Sequence, residues 1–460
     1  MADWLAPALD YIPRWIAYQR RLGELPGCAV AVASSGKLVL DKVFGVANLA
    51  SGEVLTHAHR FRVASHSKTF TATGIMKLVE AGKLRLDDPA GQYVQGLHPA
   101  VAAATLSQLL SHTAGIIRDG TDSGQWQDRR AFLNEAELRA ALAEPPILAA
   151  NTRMKYSNHG FGLLGLIIGA VTGETYGAWI SREVVAKSGL TNTQPDAPVA
   201  RLVKSTSGHS PKTLLGERVV VPAANPAHAL AAATGFMSTA GDLARFFATL
   251  DPAAPRSVLS VASRREMTRK HWCIPDMSSE RHYGLGTLHG SVPGLGNQWS
   301  WFGHSGGFQG VMTQTVVLPA QNLSVSVLTN ATDGAPAALM DGVLHILHAF
   351  ATHGPAAKPL ADWTGRWWFL WSAVDLVPMG ERVVVAVPGQ PNPFADASEL
   401  TVTGPDTARI SKAGGFGSHG ETAQLVRNRQ GRIASVALAG AKLLSEAAAA
   451  KEVRARYASG

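Results

Sequence analysis

The chain has 460 residues, of which 46% are hydrophobic and 17% charged, and its net charge is +8. That hydrophobic share excludes a disordered chain, and the length allows two or three domains with large cores. With 46 glycines and 25 prolines but no Gly-X-Y period, many turns are implied and collagen is excluded.

The N-terminal stretch is interrupted by Asp3, Asp10 and Arg14 and lacks a basic leader, so it reads as an amphipathic helix and not as a signal peptide. Residues 28–33 and 37–46 are β-rich and flank Ser34-Ser35-Gly36, a hairpin signature. Helices are predicted over 69–81, closed by Gly82, and over 161–171. The second of these, the longest apolar run, is too short to span a bilayer. Residues 310–318 and 323–329 read as strands, followed by a helix over 337–350. Strand hairpins near both ends of this region predict one antiparallel sheet completed by the two ends together. Residues 351–359 read as a linker. Beyond it, Trp363, Trp367, Trp368 and Trp371 crowd together. Short β-prone segments at 382–387, 399–402, 423–426 and 433–437 then predict a small antiparallel barrel.

The positive charge forms no patch, because the nearest run, Arg264-Arg265 and Arg269-Lys270, is broken by Glu266. No nucleic-acid partner is expected. Cys28 and Cys273 have neither metal-ligand nor redox spacing. A cytoplasmic protein with no membrane partner is the expectation.

Three constellations carry chemistry. In Ser65-His66-Ser67-Lys68, at a predicted helix start, Ser65 and Lys68 share one helical face. A serine hydroxyl becomes nucleophilic when a base takes its proton. The pattern is weak alone, since Ser34–Lys37 also matches it in a turn. Tyr156-Ser157-Asn158 adds a possible base, if Lys68 is the cation that lowers the tyrosine's pKa. Asn158 adds a donor and an acceptor for a substrate amide. In Gly303-His304-Ser305-Gly306-Gly307 the glycines let a strand backbone approach a ligand closely.

Together these motifs resemble the serine β-lactamase and penicillin-binding protein superfamily, in its class C β-lactamase and D-Ala-D-Ala carboxypeptidase branch. The usual third element, Lys-Thr-Gly, is replaced by His304-Ser305-Gly306, a variant of the branch's D-aminopeptidases and esterases. Residues 109–115 (Leu-Leu-Ser-His-Thr-Ala-Gly) and 235–239 (Gly-Phe-Met-Ser-Thr), followed by Asp242-Leu243, agree with the family pattern. The resemblance implies Ser65 as the acylated nucleophile, with Lys68 and Tyr156 as its proton-transfer partners. It implies Asn158, His304, Ser305 and Gly306 as substrate contacts, and the backbone N–H groups of Ser65 and Gly307 as the oxyanion hole. His304 would stand for a cation that anchors a substrate carboxylate, yet histidine is largely neutral at pH 7. Substrates without that carboxylate therefore fit better. Trp363-Thr364-Gly365-Arg366-Trp367 and Asn392-Pro393 resemble the lipocalin-like barrel appended to D-aminopeptidases and to penicillin-binding-protein-type peptide cyclases.

The expected fold is an α/β (α+β) sandwich, an antiparallel sheet flanked by helices with an all-helical subdomain, over 1–355. A lipocalin-like β-barrel follows over 360–460. The resemblance implies a serine hydrolase without metal or cofactor. It would act on amide bonds of small-molecule or peptide substrates with D-amino acids. A carboxylesterase and a peptide cyclase or acyl transferase stay open.

Three rival readings are weaker. Gly303–Gly307 satisfies the Gly-x-Ser-x-Gly nucleophile elbow, which would make Ser305 the nucleophile, but the elbow needs a helix after it and the sequence there is strand-like. His57-x-His59 and His345-x-x-His348 supply two ligands each, whereas zinc takes three or four. A binding protein without catalysis has no reason to keep Ser65, Lys68 and Tyr156 together.

Overall fold

The computed structural model describes residues 2–198, 200, 203–222, 225–414 and 417–457. The chain divides into two compact units, Gly23–Met340 on one hand and Met1–Leu22 with Asp341–Gly460 on the other.

The first unit is built on β1 (Gly27–Ser34), β2 (Lys37–Asn48) and β3 (Glu53–Val54), followed much later by β4 (Trp272–Cys273), β5 (His282–Tyr283) and β6 (Leu288–Gly290). Three long strands follow, β7 (Trp301–Phe308), β8 (Val311–Leu318) and β9 (Leu323–Thr329). They form one nine-stranded sheet in the order β3-β2-β1-β9-β8-β7-β6-β5-β4. The β1–β2 hairpin turns where Ser34-Ser35-Gly36 predicted it, with Ser35 and Gly36 both at positive φ. β1 pairs antiparallel with β9 from Cys28↔Thr329 to Ser34↔Leu323. The sheet is thus completed by segments from both ends of the region, as the hairpin pattern predicted. All seven residues of β9 are buried, and so are the first seven of β1. β1 accordingly reads as a near-continuous apolar run over Cys28–Ala33, whereas β9 alternates Leu323, Val325 and Val327 with Ser324 and Ser326, and both serines are buried.

Two helices position the site. α1 (His66–Glu80) begins three residues earlier than predicted and ends at Gly82, which has φ +67°. α2 (Asn158–Thr172) is capped by Ser157, whose hydroxyl accepts from the Gly160 N–H at 2.9 Å, and closes on Gly173 at φ +72°. Around them lie shorter helices, Leu106–Leu110, Glu135–Leu142 and Tyr176–Ile180 among them, which share one apolar core with the sheet. Phe70 of α1 stacks between Phe236 and Phe246 at centroid distances of 4.3 and 4.0 Å.

In the second unit, eight strands from Gly365–Trp368 to Ala441–Leu444 close into an antiparallel barrel, sealed by Trp368↔Leu444. Thr422–Arg427 shows the alternating burial of a barrel wall, and Leu376, Val383, Leu400 and Val436 fill the interior. Trp363 and Trp367 are core residues there, whereas Trp371 is 87% exposed. Helix Leu5–Leu22 belongs to this unit: Trp15 is fully buried, and the buried Tyr11 hydroxyl donates to Asp375 at 2.9 Å. Asp375 also holds Arg366 through two contacts of 2.7 Å. The division passes through helix Pro336–His353, which takes in the first three residues of the expected linker. No single helix among the described residues is long and apolar enough to cross a membrane.

Candidate active site

Ser65 stands at the N-terminus of α1 with helical backbone angles, so Lys68 follows one turn later on the same face. The Lys68 Nζ lies 3.1 Å from Ser65 Oγ, 2.7 Å from Asn158 Oδ1 and 2.8 Å from the Ala233 carbonyl. The Tyr156 hydroxyl donates to Ser65 Oγ at 2.8 Å. The two sequence motifs therefore meet at one oxygen.

The turn before Ser65 is held from several sides. Ser67 Oγ donates to the Ala64 carbonyl and accepts from the Phe236 N–H at 2.9 Å. Val63 N–H donates to the Phe236 carbonyl at 2.9 Å. The 235–239 motif is thus a brace for the turn that carries Ser65. β7 runs beside it, and at Gly306 the approach is so close that a Cβ would lie 2.2 Å from the Val63 carbonyl. Gly306 thus admits the protein's own backbone. Ser305, Gly306 and Gly307 line the same cleft as Ser65.

Burial dominates the electrostatics of the pair. Burial holds the Lys68 amine well below its ordinary 10.5, with the Asp119 carboxylate opposing and Arg118 assisting. Burial also pushes the Tyr156 phenol well above its ordinary value, against its hydrogen bond to Ser65. The sequence reading had Lys68 as a cation making Tyr156 the base. Lys68 is fully buried and Tyr156 partly buried, and desolvation disfavours the charged form of each. The amine sits over the tyrosine ring, 4.7 Å from its centroid.

In its unprotonated form the amine has two N–H donors and one lone pair. The Asn158 and Ala233 oxygens can only accept, so they take the two donors. The lone pair is left for Ser65.

His304 is neutral. The Ser305 carbonyl, 2.7 Å from Nδ1, can only accept, so Nδ1 carries the proton. Nε2 then accepts from the Tyr283 hydroxyl at 2.8 Å. Burial, with His66 and Lys68 beside it, keeps this imidazole well below 6.5. It offers no cation to a carboxylate. His66 is equally enclosed, with Nδ1 3.0 Å from the Val63 carbonyl and Nε2 3.0 Å from Thr315 Oγ1, and burial lowers it to about 4.

The cleft above Ser65 measures about 630 Å³. Trp126, Met154, Ile274, Leu288 and Met312 give it apolar walls, and its charged lining among the described residues is Arg118 and Asp119. A larger cleft of about 710 Å³ runs along Gly165, Gly169 and Gly173 and contains neither Ser65 nor its partners. The residues of the rival readings go elsewhere. Gly303–Gly307 lies inside β7 and leads into β8, so no helix follows Ser305. His57 meets Asp41 at 3.3 Å, while His59 meets Thr56 and Glu53. Asp119, Trp126, Tyr283 and the Ala233 carbonyl were not anticipated.

The Beta-lactamase family matches residues 15–350. The chain belongs to the beta-lactamase family. Penicillin-binding protein 4 of Amycolatopsis lactamdurans is 30% identical over 328 residues, which cover 67% of this chain and 81% of that protein. Protein flp of Staphylococcus aureus (strain N315) is 27% identical over 186 residues, 40% of this chain; the chain spans 37% of that relative's length. Among solved structures, the octameric penicillin-binding protein homologue from Pyrococcus abyssi has a TM-score of 0.65 at 22% identity, covering 95% of this chain and 99% of that one. The D-stereospecific amidohydrolase from Streptomyces sp. has a TM-score of 0.59 at 23% identity, covering 73% and 97%. At these identities the two structures share the fold.

Proposed function

We propose that the chain is a serine acyl-enzyme hydrolase of amide bonds, acting on peptides or amides that contain a D-configured residue. The observation that carries this is the convergence of the Lys68 amine and the Tyr156 hydroxyl on Ser65 Oγ, in a cleft with apolar walls. Lys68 takes the Ser65 proton as Oγ bonds to the carbonyl carbon. The backbone N–H groups of Ser65 and Gly307 hold the oxyanion. Collapse of the tetrahedral intermediate breaks the C–N bond, and the proton returns to the leaving nitrogen through the Tyr156 hydroxyl. Water, activated by the same pair, then cleaves the ester to Ser65.

Substrate class rests on two supports. The neutral, internally satisfied His304 argues against substrates anchored by a carboxylate at that position. The likeness in fold to a D-stereospecific amidohydrolase favours D-residues. Ser305 and Asn158 serve as substrate contacts beside the nucleophile. An ester, or an amine in place of water, uses the same acyl-enzyme.

A substrate panel tests the proposal with the wild type and Ser65→Ala: D- and L-amino-acid amides, nitrophenyl esters and nitrocefin. Turnover of D-amides that vanishes in Ser65→Ala is expected. Nitrocefin turnover above every amide and ester would overturn the specificity, and equal turnover by Ser65→Ala would overturn the mechanism.

A further inference from the structure

Asp119 sits at the floor of the cleft, 9% exposed, and touches neither Ser65 nor Lys68 within hydrogen-bond reach among the contacts described. Its Oδ1 accepts from Asn158 Nδ2 at 2.6 Å and from Trp126 Nε1 at 2.9 Å, and its Oδ2 pairs with Arg118 Nε at 3.0 Å. We infer that Asp119 is a positioning residue for acylation, which fixes the orientation of the Asn158 amide and thereby aims the Lys68 lone pair at Ser65. The inference rests on the reading of Ser65 as nucleophile and Lys68 as base.

The argument is one of hydrogen-bond polarity. An ionised carboxylate can only accept, so Asn158 must turn its NH₂ group to Asp119 and its carbonyl oxygen to Lys68. The reversed amide would set its oxygen against the carboxylate, a repulsive contact in a buried site. With the oxygen fixed toward Lys68, that oxygen and the Ala233 carbonyl consume both N–H bonds of the neutral amine. Its lone pair has Ser65 Oγ as the remaining neighbour. Take away the carboxylate and the amide is free to turn, so Lys68 can spend its lone pair on Asn158 NH₂ instead.

Asp119 also has an electrostatic role with a definite sign. The groups facing Lys68 are Asp119 and Arg118 from the loop after residues 109–115, His112 from that motif, Tyr156 beside Asn158, and His304 on β7. Asp119 is the negative charge among them and favours the ammonium form; Arg118 opposes it, and the two histidines and the tyrosine are neutral. A base works only when unprotonated, so acylation rises with pH through the Lys68 transition. Loss of the Asp119 charge therefore moves that rise to lower pH, even as the plateau falls.

The test uses full-length protein in excess over p-nitrophenyl acetate, with single-turnover nitrophenol release followed across pH. For Asp119→Asn we expect a plateau lowered by about 10- to 100-fold, as slight misplacement of a catalytic group costs, together with an acid limb shifted to lower pH. Asp119→Glu keeps the charge but not the reach, so its plateau falls while its limb stays near that of the wild type. A merely structural role would lower the amplitude of both variants without moving either limb. An unmoved limb and unchanged plateau in Asp119→Asn would overturn the inference. Should Asp119→Asn fail to fold, the Asp119→Glu plateau decides, and a wild-type value there overturns it. Ser65→Ala separates the two readings: if it still acylates at the wild-type rate, the nucleophile assignment has failed, whatever Asp119 does.

Discussion

Replacing Gly306 by alanine probes how the sheet is locked against the turn that carries Ser65. The added Cβ would lie 2.2 Å from the Val63 carbonyl oxygen and 2.7 Å from Thr313 Oγ1, where ordinary contact begins near 3.4 Å. β7 must therefore retreat by about 1.2 Å from Val63, or Val63 must move. Val63 is poorly placed to yield, since its carbonyl also accepts from the His66 N–H at 3.1 Å and faces His66 Nδ1 at 3.0 Å. Overpacking of this kind costs about 1–3 kcal/mol. The same retreat separates Gly307 from Ser65, and a misplacement near 1 Å lowers acylation by about 100-fold. Urea unfolding of the whole protein gives the first number, and single-turnover nitrophenyl ester cleavage gives the second. An unfolding midpoint and an acylation rate both equal to those of the wild type would refute the close approach as a constraint.

Other expectations are equally concrete. Tyr156→Phe keeps the ring beneath Lys68 and against His112, 4.1 Å between centroids. Acylation should drop by about 10²- to 10⁴-fold with no change in melting temperature, and a retained rate would remove Tyr156 from proton transfer. His66 stays neutral in the fold down to about pH 4, whereas the unfolded chain binds a proton near 6.5. Its contribution is thus complete above pH 6.5 and declines by about 3 kcal/mol toward pH 4. Urea midpoints measured against pH should show that decline, and His66→Asn should flatten it; identical slopes would contradict the buried neutral ring. Asp375→Ala strips the partner from Arg366 and the buried Tyr11 hydroxyl. A loss of about 3 kcal/mol is expected, measured on the unfolding transition of the barrel unit, and an unshifted transition would show that pair to be dispensable.

The parts of this site that can be read from sequence are those carried by local geometry. Ser65 and Lys68 meet because one helical turn separates them, and Ser157 with Asn158 sit at a helix start whose cap and apolar run announce it. The hairpin at Ser34–Gly36 and the buried runs of β1 and β9 were legible for the same reason. Tyr283 was not, because its strand has two residues and no period. Asp119 and the Ala233 carbonyl reach Lys68's surroundings from separate loops, and nothing in a linear pattern links them to it. The desolvation of Lys68 and Tyr156 was not legible, because sequence shows the neighbouring charge but not the depth of burial, and burial is the larger effect on both.

The register of the central sheet bears on how the protein is made. β1 finds its partner β9 roughly 300 residues further along the chain, with Cys28 opposite Thr329. At ribosomal speeds of about 5–20 residues per second, β9 emerges some 15–60 s after β1. Through that interval the β1–β2 hairpin carries an open edge of alanine and valine, the kind of edge that pairs with other chains. Faster translation or a holdase that covers residues 27–34 should therefore raise the yield of folded protein more than any change at the active site.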